Sequence, residues 1–241
     1  MFHKFRTEKR FFFVYLYKMC IFALQIGKCF MWQSNLYQFG SSPFPLSALS
    51  DIYPSTKHIS DKARRLEQEG RIIRLKKGLY VRSAEDGAEP VSELIANHLY
   101  GPSYVSMQSA LRHYGLIPER VYATQSLTIK HSRSFDTPLG RYDYFSCGVN
   151  YFPIGVTQHH DAGIQFLVAS PEKALCDLLV KTRRLEFDSP DVLFDYLEND
   201  LRFDTDALKT MDVEILRQCC ANATTRRNNI ALLIILVENG Q

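Results

Sequence analysis

The chain has 241 residues, 46% of them apolar and 23% charged, with a formal net charge of +3. That balance fits one large or two small globular domains with real cores and excludes a disordered or low-complexity chain. The six cysteines (Cys20, Cys29, Cys147, Cys176, Cys219 and Cys220) form no C-x-x-C pair and no zinc-like Cys/His spacing, which excludes a zinc-finger framework and points to reduced thiols in a cytoplasmic protein.

The distribution of charge says more than its sum. Residues 1–34 carry +5, residues 35–54 carry −1, residues 55–82 carry +6 and residues 83–241 carry −7. A dense basic block beside an acidic remainder fits a short polyanion-binding module joined to a domain with another task.

Residues 1–30 open with four cations and continue into an apolar run from Phe11 to Ile26, interrupted by Lys18. The run falls short of the roughly 20 residues of a spanning helix, and no small-x-small cleavage site follows it. Three origins stay open for this extension: a translational start further along, at Met31 or Met19; a membrane-surface or anchor segment; and a genuine extra helix.

From Met31 the text becomes orderly. "MWQSNLYQF" predicts a short helix stopped by Gly40-Ser41-Ser42-Pro43, and "PLSALSDIY" a second, broken by Pro54. Ser55 or Thr56 is placed to cap a third helix running to about Glu69, with Ile59, Ala63 and Leu66 on one face and Gly70 as its stop. A hairpin follows in "EGRIIRLKKGLYV". Strict alternation sends Ile73, Leu75, Leu79 and Val81 inward and Arg74, Lys76, Tyr80 and Arg82 outward. Three short helices and a basic hairpin over residues 31–83 are the order of a winged helix-turn-helix. That order assigns Ser55, Thr56, Lys57, His58 and Ser60 to the major groove of duplex DNA and Arg64 and Arg65 to phosphate. It assigns Arg74, Lys76 and Lys77 of the hairpin to the neighbouring backbone, where they displace counterions. Asp61 either accepts from a cytosine amino group or pairs with Arg64 or Arg65.

Residues 84–90, within "SAEDGAEP", read as a linker to a second domain over 91–241. "VSELIANHLY" predicts a helix, and a second is expected from about Ser106 to Gly115. "VYATQSLTIKHS", "GRYDYFSC" and "IQFLVAS" read as strands of a small antiparallel sheet, the first two joined by "DTPLG". "SPEKALCDLLV" begins a helix, with Ser170 as cap, Pro171 at the first helical position and Glu172 near the positive end. The rest reads as helical, and the apolar run in "NNIALLIILV" is too short to span a membrane. The expected fold class is therefore α+β: a winged helix-turn-helix, then a mixed domain with a small antiparallel sheet and a helical C-terminus.

Five segments, "LEQEGRIIRLKKGLYV", "ANHLYGPSYVSMQSALRHYGLIPE", "VYATQSLTIK", "FDTPLGRYDY" and "SPEKALCDLL", together resemble the AbiEi family of antitoxins from type IV toxin–antitoxin, or abortive-infection, systems. The resemblance covers roughly residues 40–185; the first 30 residues lie outside it, and the last 50 share only helical character. It implies a winged-helix domain that binds an inverted-repeat operator upstream of its own operon and a C-terminal domain needed for antitoxicity; a homodimer is one arrangement that suits an inverted repeat. It also implies an AbiEii-like nucleotidyltransferase toxin as functional partner, without implying direct binding. A stand-alone regulator or protein-interaction adaptor is the alternative.

Enzyme motifs weigh little beside this. Ser170-x-x-Lys173 matches a penicillin-binding signature, but S-D-N and K-T-G partners are missing and helix capping explains Ser170. No P-loop or dinucleotide fingerprint occurs. His159-His160-Asp161 are adjacent, a spacing that seldom chelates one ion. No catalytic residues, cofactor or metal are expected.

Overall fold

The computed structural model describes residues 36–118, 122–161 and 163–240. The extension over residues 1–30 and the start of the helix expected from Met31 lie outside the described residues. A short 3-10 turn, Tyr37–Phe39, precedes strand β1 (Phe44–Pro45) and helices α1 (Leu46–Ile52) and α2 (Ile59–Gln68). The hairpin follows as β2 (Ile72–Lys76) and β3 (Leu79–Arg82). Gly70 and Gly78, with φ of +69° and +80°, release the chain from the helix and close the hairpin turn. The three strands form an antiparallel sheet in the order β1-β3-β2.

On one side of this sheet a small core gathers Leu36, Phe44, Leu49, Ala63, Leu66, Ile72 and Tyr80. Phe39 stacks on Phe44 with ring centroids 3.9 Å apart. Ile59, Ala63 and Leu66 do face this core as the helical spacing predicts, and each fully buried aliphatic side chain contributes about 1.5–3 kcal/mol. The other side of the hairpin belongs to the larger core: Leu75 and Val81 are buried in it, and Ile73 and Leu79 pack against it. Both faces of the hairpin are therefore covered.

The remaining chain supplies α3 (Ser92–Leu99), β4 (Ser103–Val105), α4 (Met107–His113), β5 (Ala123–Thr128), β6 (Arg133–Thr137), β7 (Gly140–Ser146), β8 (Val156–Asp161) and β9 (Ile164–Ala169). Helices α5 (Pro171–Lys181), α6 (Pro190–Asp195), α7 (Val213–Asn222) and α8 (Arg227–Gly240) follow. The sheet corrects the expectation of a small antiparallel one. It has six strands in the order β6-β7-β5-β4-β9-β8, and the pairs β5–β7 and β4–β9 are parallel. The cause of the first pair is visible: β6 reverses the chain, β7 reverses it again, and β7 then inserts between β6 and β5. Two reversals restore the direction. The strands β4, β6 and β8 escaped prediction because "SYV" is short and "RSFDT" and "VTQHHD" lack an apolar stripe.

Alternation along the strands separates two layers of helix. Ser103 Oγ and Tyr144 Oη donate to the carbonyl of Ala96 in α3, whereas Tyr104 Oη and Ser106 Oγ donate to Asp177 of α5. Helix α3 thus covers one face and α5 the other. In α5 every residue from Glu172 to Val180 is buried. Its start is as expected, Ser170 Oγ accepting from the Lys173 amide at 3.3 Å. Lys173 and Asp177 form a fully buried ion pair at 3.2 Å, and Lys173 Nζ also donates to the Tyr151 carbonyl at 3.0 Å. The C-terminal apolar run is a helix that buries Ile230, Leu233 and Val237. Among the described residues no helix is long and apolar enough to cross a membrane.

Candidate nucleic-acid interface

The site is built from α2 and the hairpin behind it. Ser55 and Thr56 cap no helix, contrary to expectation. The Thr56 amide instead donates to the Tyr53 carbonyl at 3.0 Å, closing a turn with Pro54 at its second position, where the fixed φ of proline favours it. The chain reaches helical geometry only at Ile59, with His58 at the N-cap and no side-chain bond there. Ser55, Thr56, Lys57 and His58 therefore occupy the connection between α1 and α2, and Ser60, Arg64 and Arg65 occupy α2 itself. All seven are exposed except Thr56, which is half-buried. Asp61 pairs with Arg64, one of the two roles left open for it. Both groups are well over half exposed, so the pair contributes little to stability and leaves Arg64 free to exchange its partner for phosphate. Lys62 Nζ lies 4.6 Å from the centre of the Tyr53 ring.

The hairpin cations divide. Arg74 and Lys77 are exposed, as expected. Lys76 is not: it is half-buried, and its ammonium donates to the carbonyl of Leu99 at the end of α3 and lies 5.9 Å from the centre of the Phe135 ring. A β-bulge is responsible. Arg74 pairs with Tyr80 and Lys76 with Leu79, so Leu75 is an extra residue and the two-residue period breaks there. Lys76 is turned to the side of Leu75, against the second sheet. Burial, and then the charges of Lys130 and Arg133, hold the Lys76 ammonium below its ordinary pKa.

Tyr80 and Arg82 also depart from expectation, both being buried. Strict alternation put them on an open face, but α1 and α2 cover Tyr80, and Asp86 and Tyr37 close over Arg82. Tyr80 joins the small core. Arg82, only 2% exposed, donates from Nε to Asp86 Oδ2 at 2.8 Å and lies with its guanidinium 4.5 Å from the Tyr37 ring centre. Arg71 Nε donates to the other oxygen of Asp86, also at 2.8 Å. The stretch read as a linker thus holds a buried carboxylate that ties the exit of α2 to the end of the hairpin.

Two cations outside the expected set stand beside the hairpin. Lys130 and Arg133, both exposed, flank the turn from β5 into β6. Lys130 donates to the Gly101 carbonyl and lies 5.2 Å from the Tyr100 ring centre; Arg133 lies 4.8 Å from that of Phe135. The signal in the sequence is the basic run "KHSR" before an aromatic residue, which the assignment of "VYATQSLTIKHS" to one strand hides.

The remaining motifs have structural employment. Lys173 of the S-x-x-K pattern is paired with Asp177, and Ser170 caps α5. His159 on β8 lies against Phe166 and His113, with ring centroids 4.7 Å away in each case. A scan against models of known protein families finds no match to this chain, and a search of curated proteins finds none either.

Proposed function

We propose that the protein is a sequence-specific DNA-binding regulator whose N-terminal unit is a winged helix-turn-helix. The observation that carries this reading is a topology joined to a charge pattern. Strand β1 precedes α1 and pairs with β3, giving an order of strand, helix, turn, helix and hairpin that a winged helix also has. The second helix of that order, α2, and the turn before it present Ser55, Thr56, Lys57, His58, Ser60, Arg64 and Arg65 together. Such a helix enters the major groove with its N-terminal end toward the bases. Lys57, His58 and Ser60, at the start of α2, are the base-reading group, and Arg64 and Arg65, further along, serve phosphate. The wing's contribution is Arg74 and Lys77; Lys76 supports the hairpin from behind.

The biological role follows from the resemblance to AbiEi antitoxins: repression of its own operon through an inverted-repeat operator, and opposition to a nucleotidyltransferase toxin by the larger domain. Such a protein acts in the cytoplasm and needs no catalytic group or cofactor of its own. Rescue of growth on co-expression with a nucleotidyltransferase encoded next to it tests this part. The DNA reading is tested by anisotropy titration of a labelled duplex carrying the region upstream of its gene. Arg74→Ala with Lys77→Ala should lower affinity for all sequences and reduce the salt slope by up to about two. Lys57→Ala or His58→Ala should instead change base preference, by about 1–3 kcal/mol for each lost base contact. Salt slopes and preferences identical to wild type in both sets would overturn the assignment.

A further inference from the structure

Lys76, Lys130 and Arg133 stand close enough that the latter two depress the protonation of the first. Like charges repel, and proteins usually relieve such a cluster with carboxylates. Among the described residues no ion pair includes Arg74, Lys76, Lys77, Lys130 or Arg133. The strand period keeps the nearby acids away. Arg133 and Phe135 share the face of β6 that looks toward α3 and the hairpin, whereas Asp136 lies on the opposite face, paired in register with Arg141, which bonds Asp143.

What holds two of the cations is the end of α3. Lys76 takes the Leu99 carbonyl and Lys130 the Gly101 carbonyl just beyond it, at the negative end of that helix. Each ammonium has three donors and gives one to its carbonyl, leaving two for another acceptor. The rings of Tyr100 and Phe135 support Lys130, Arg133 and Lys76 from beneath. Arg74 and Lys77, exposed on the same hairpin, add two further cations to it.

We infer that this seam is a phosphate-binding surface, and that duplex DNA engaged by the wing continues across it, so that the second domain contributes Lys130 and Arg133 to the DNA footprint beside Lys76 of the hairpin. The inference rests on the DNA-binding reading. It adds that a fragment ending at the hairpin lacks part of the interface.

The test uses the full chain and the variant Lys130→Gln with Arg133→Gln. The probe is a labelled mixed-sequence duplex, long enough to pass beyond one module, titrated over a series of salt concentrations. Both positions are exposed, and an unchanged urea midpoint verifies that the variant is folded. The expected result is a salt slope lower by up to about two and affinity weaker by about thirtyfold at physiological salt, with base preference at the operator unchanged. Lys76→Met, which keeps the apolar stem, should lower the slope by no more than about one. If wild type binds duplex and the glutamine variant keeps its slope, the seam assignment is overturned while the wing stands. If wild type shows no duplex binding, the DNA reading itself fails and the seam assignment with it. A loss confined to single-stranded RNA also overturns the duplex assignment.

Discussion

Replacing Asp86 by alanine removes the one carboxylate that Arg71 and Arg82 share. Two charge-assisted bonds of 2.8 Å disappear, each from an Nε to a different carboxylate oxygen. Arg71 is 15% exposed and has a path to water; Arg82, 2% exposed, has almost none. Arg82 keeps its bond to the Asp86 backbone carbonyl and its contact with Tyr37, so the loss is partial. Breaking a buried pair by removing one partner costs about 3–5 kcal/mol, because the other charge stays buried. For a chain of this size about 2–4 °C accompanies each kcal/mol, so the thermal midpoint should fall by roughly 6–20 °C. Urea denaturation followed by circular dichroism gives the free energy, and a thermal scan gives the midpoint. Asp86→Ala combined with Arg82→Met should recover much of the loss, since a buried pair replaced by apolar groups is often neutral. An Asp86→Ala protein within about 1 kcal/mol of wild type would show that the clamp carries no such energy.

Two further outcomes follow from the larger core. Ser170→Ala removes the cap of α5 and should cost about 1 kcal/mol in urea, with DNA affinity unchanged; a large loss of a hydrolytic or acyl-transfer activity would instead revive the S-x-x-K signature. His113, half-buried against Tyr114, His159 and Phe166, is held below its ordinary pKa by burial and by His159, with Glu93 acting in the opposite sense. The unfolded chain therefore binds the proton more readily than the folded one. This group's contribution to stability is complete above about pH 6.5, declines as pH falls below that value and levels off beneath the lowered folded value. Urea midpoints at about pH 7 and about pH 5 should differ less in His113→Gln than in wild type; an equal difference would remove His113 as the cause.

Local periodicity made several elements legible. The spacing of Ile59, Ala63 and Leu66 set the buried face of α2, and Ser170-Pro171 marked the start of α5. Three kinds of feature were hidden. Parity was one: a single extra residue at Leu75 reverses the side to which Lys76 points, and nothing in "RLKKG" announces it. Coverage was another, since alternation along one hairpin cannot reveal that two helices bury Tyr80 on its second face or that Asp86 and Tyr37 enclose Arg82. The third was long-range pairing. Parallel contact between β4 and β9 joins segments about sixty residues apart, and short polar strands such as β6 are defined by their neighbours rather than their own composition. For the same reason nothing in the sequence marks Lys130 and Arg133 as a pair with the hairpin. Their significance comes from the hairpin packed beside them, not from their own segment.

The hairpin has apolar side chains in two cores at once, Ile72 and Tyr80 in one and Leu75 and Val81 in the other. This has a practical meaning for anyone who would dissect the chain. A cut after Arg82 leaves the N-terminal fragment with Ile73, Leu75, Leu79 and Val81 bared to water, and leaves the other fragment with a matching hole. Each piece then tends to associate with copies of itself. Neither half is an interchangeable cassette. A fragment that fails in any assay reports first on its missing wall, and transplanting residues 36–82 requires carrying across the residues on both sides of the hairpin.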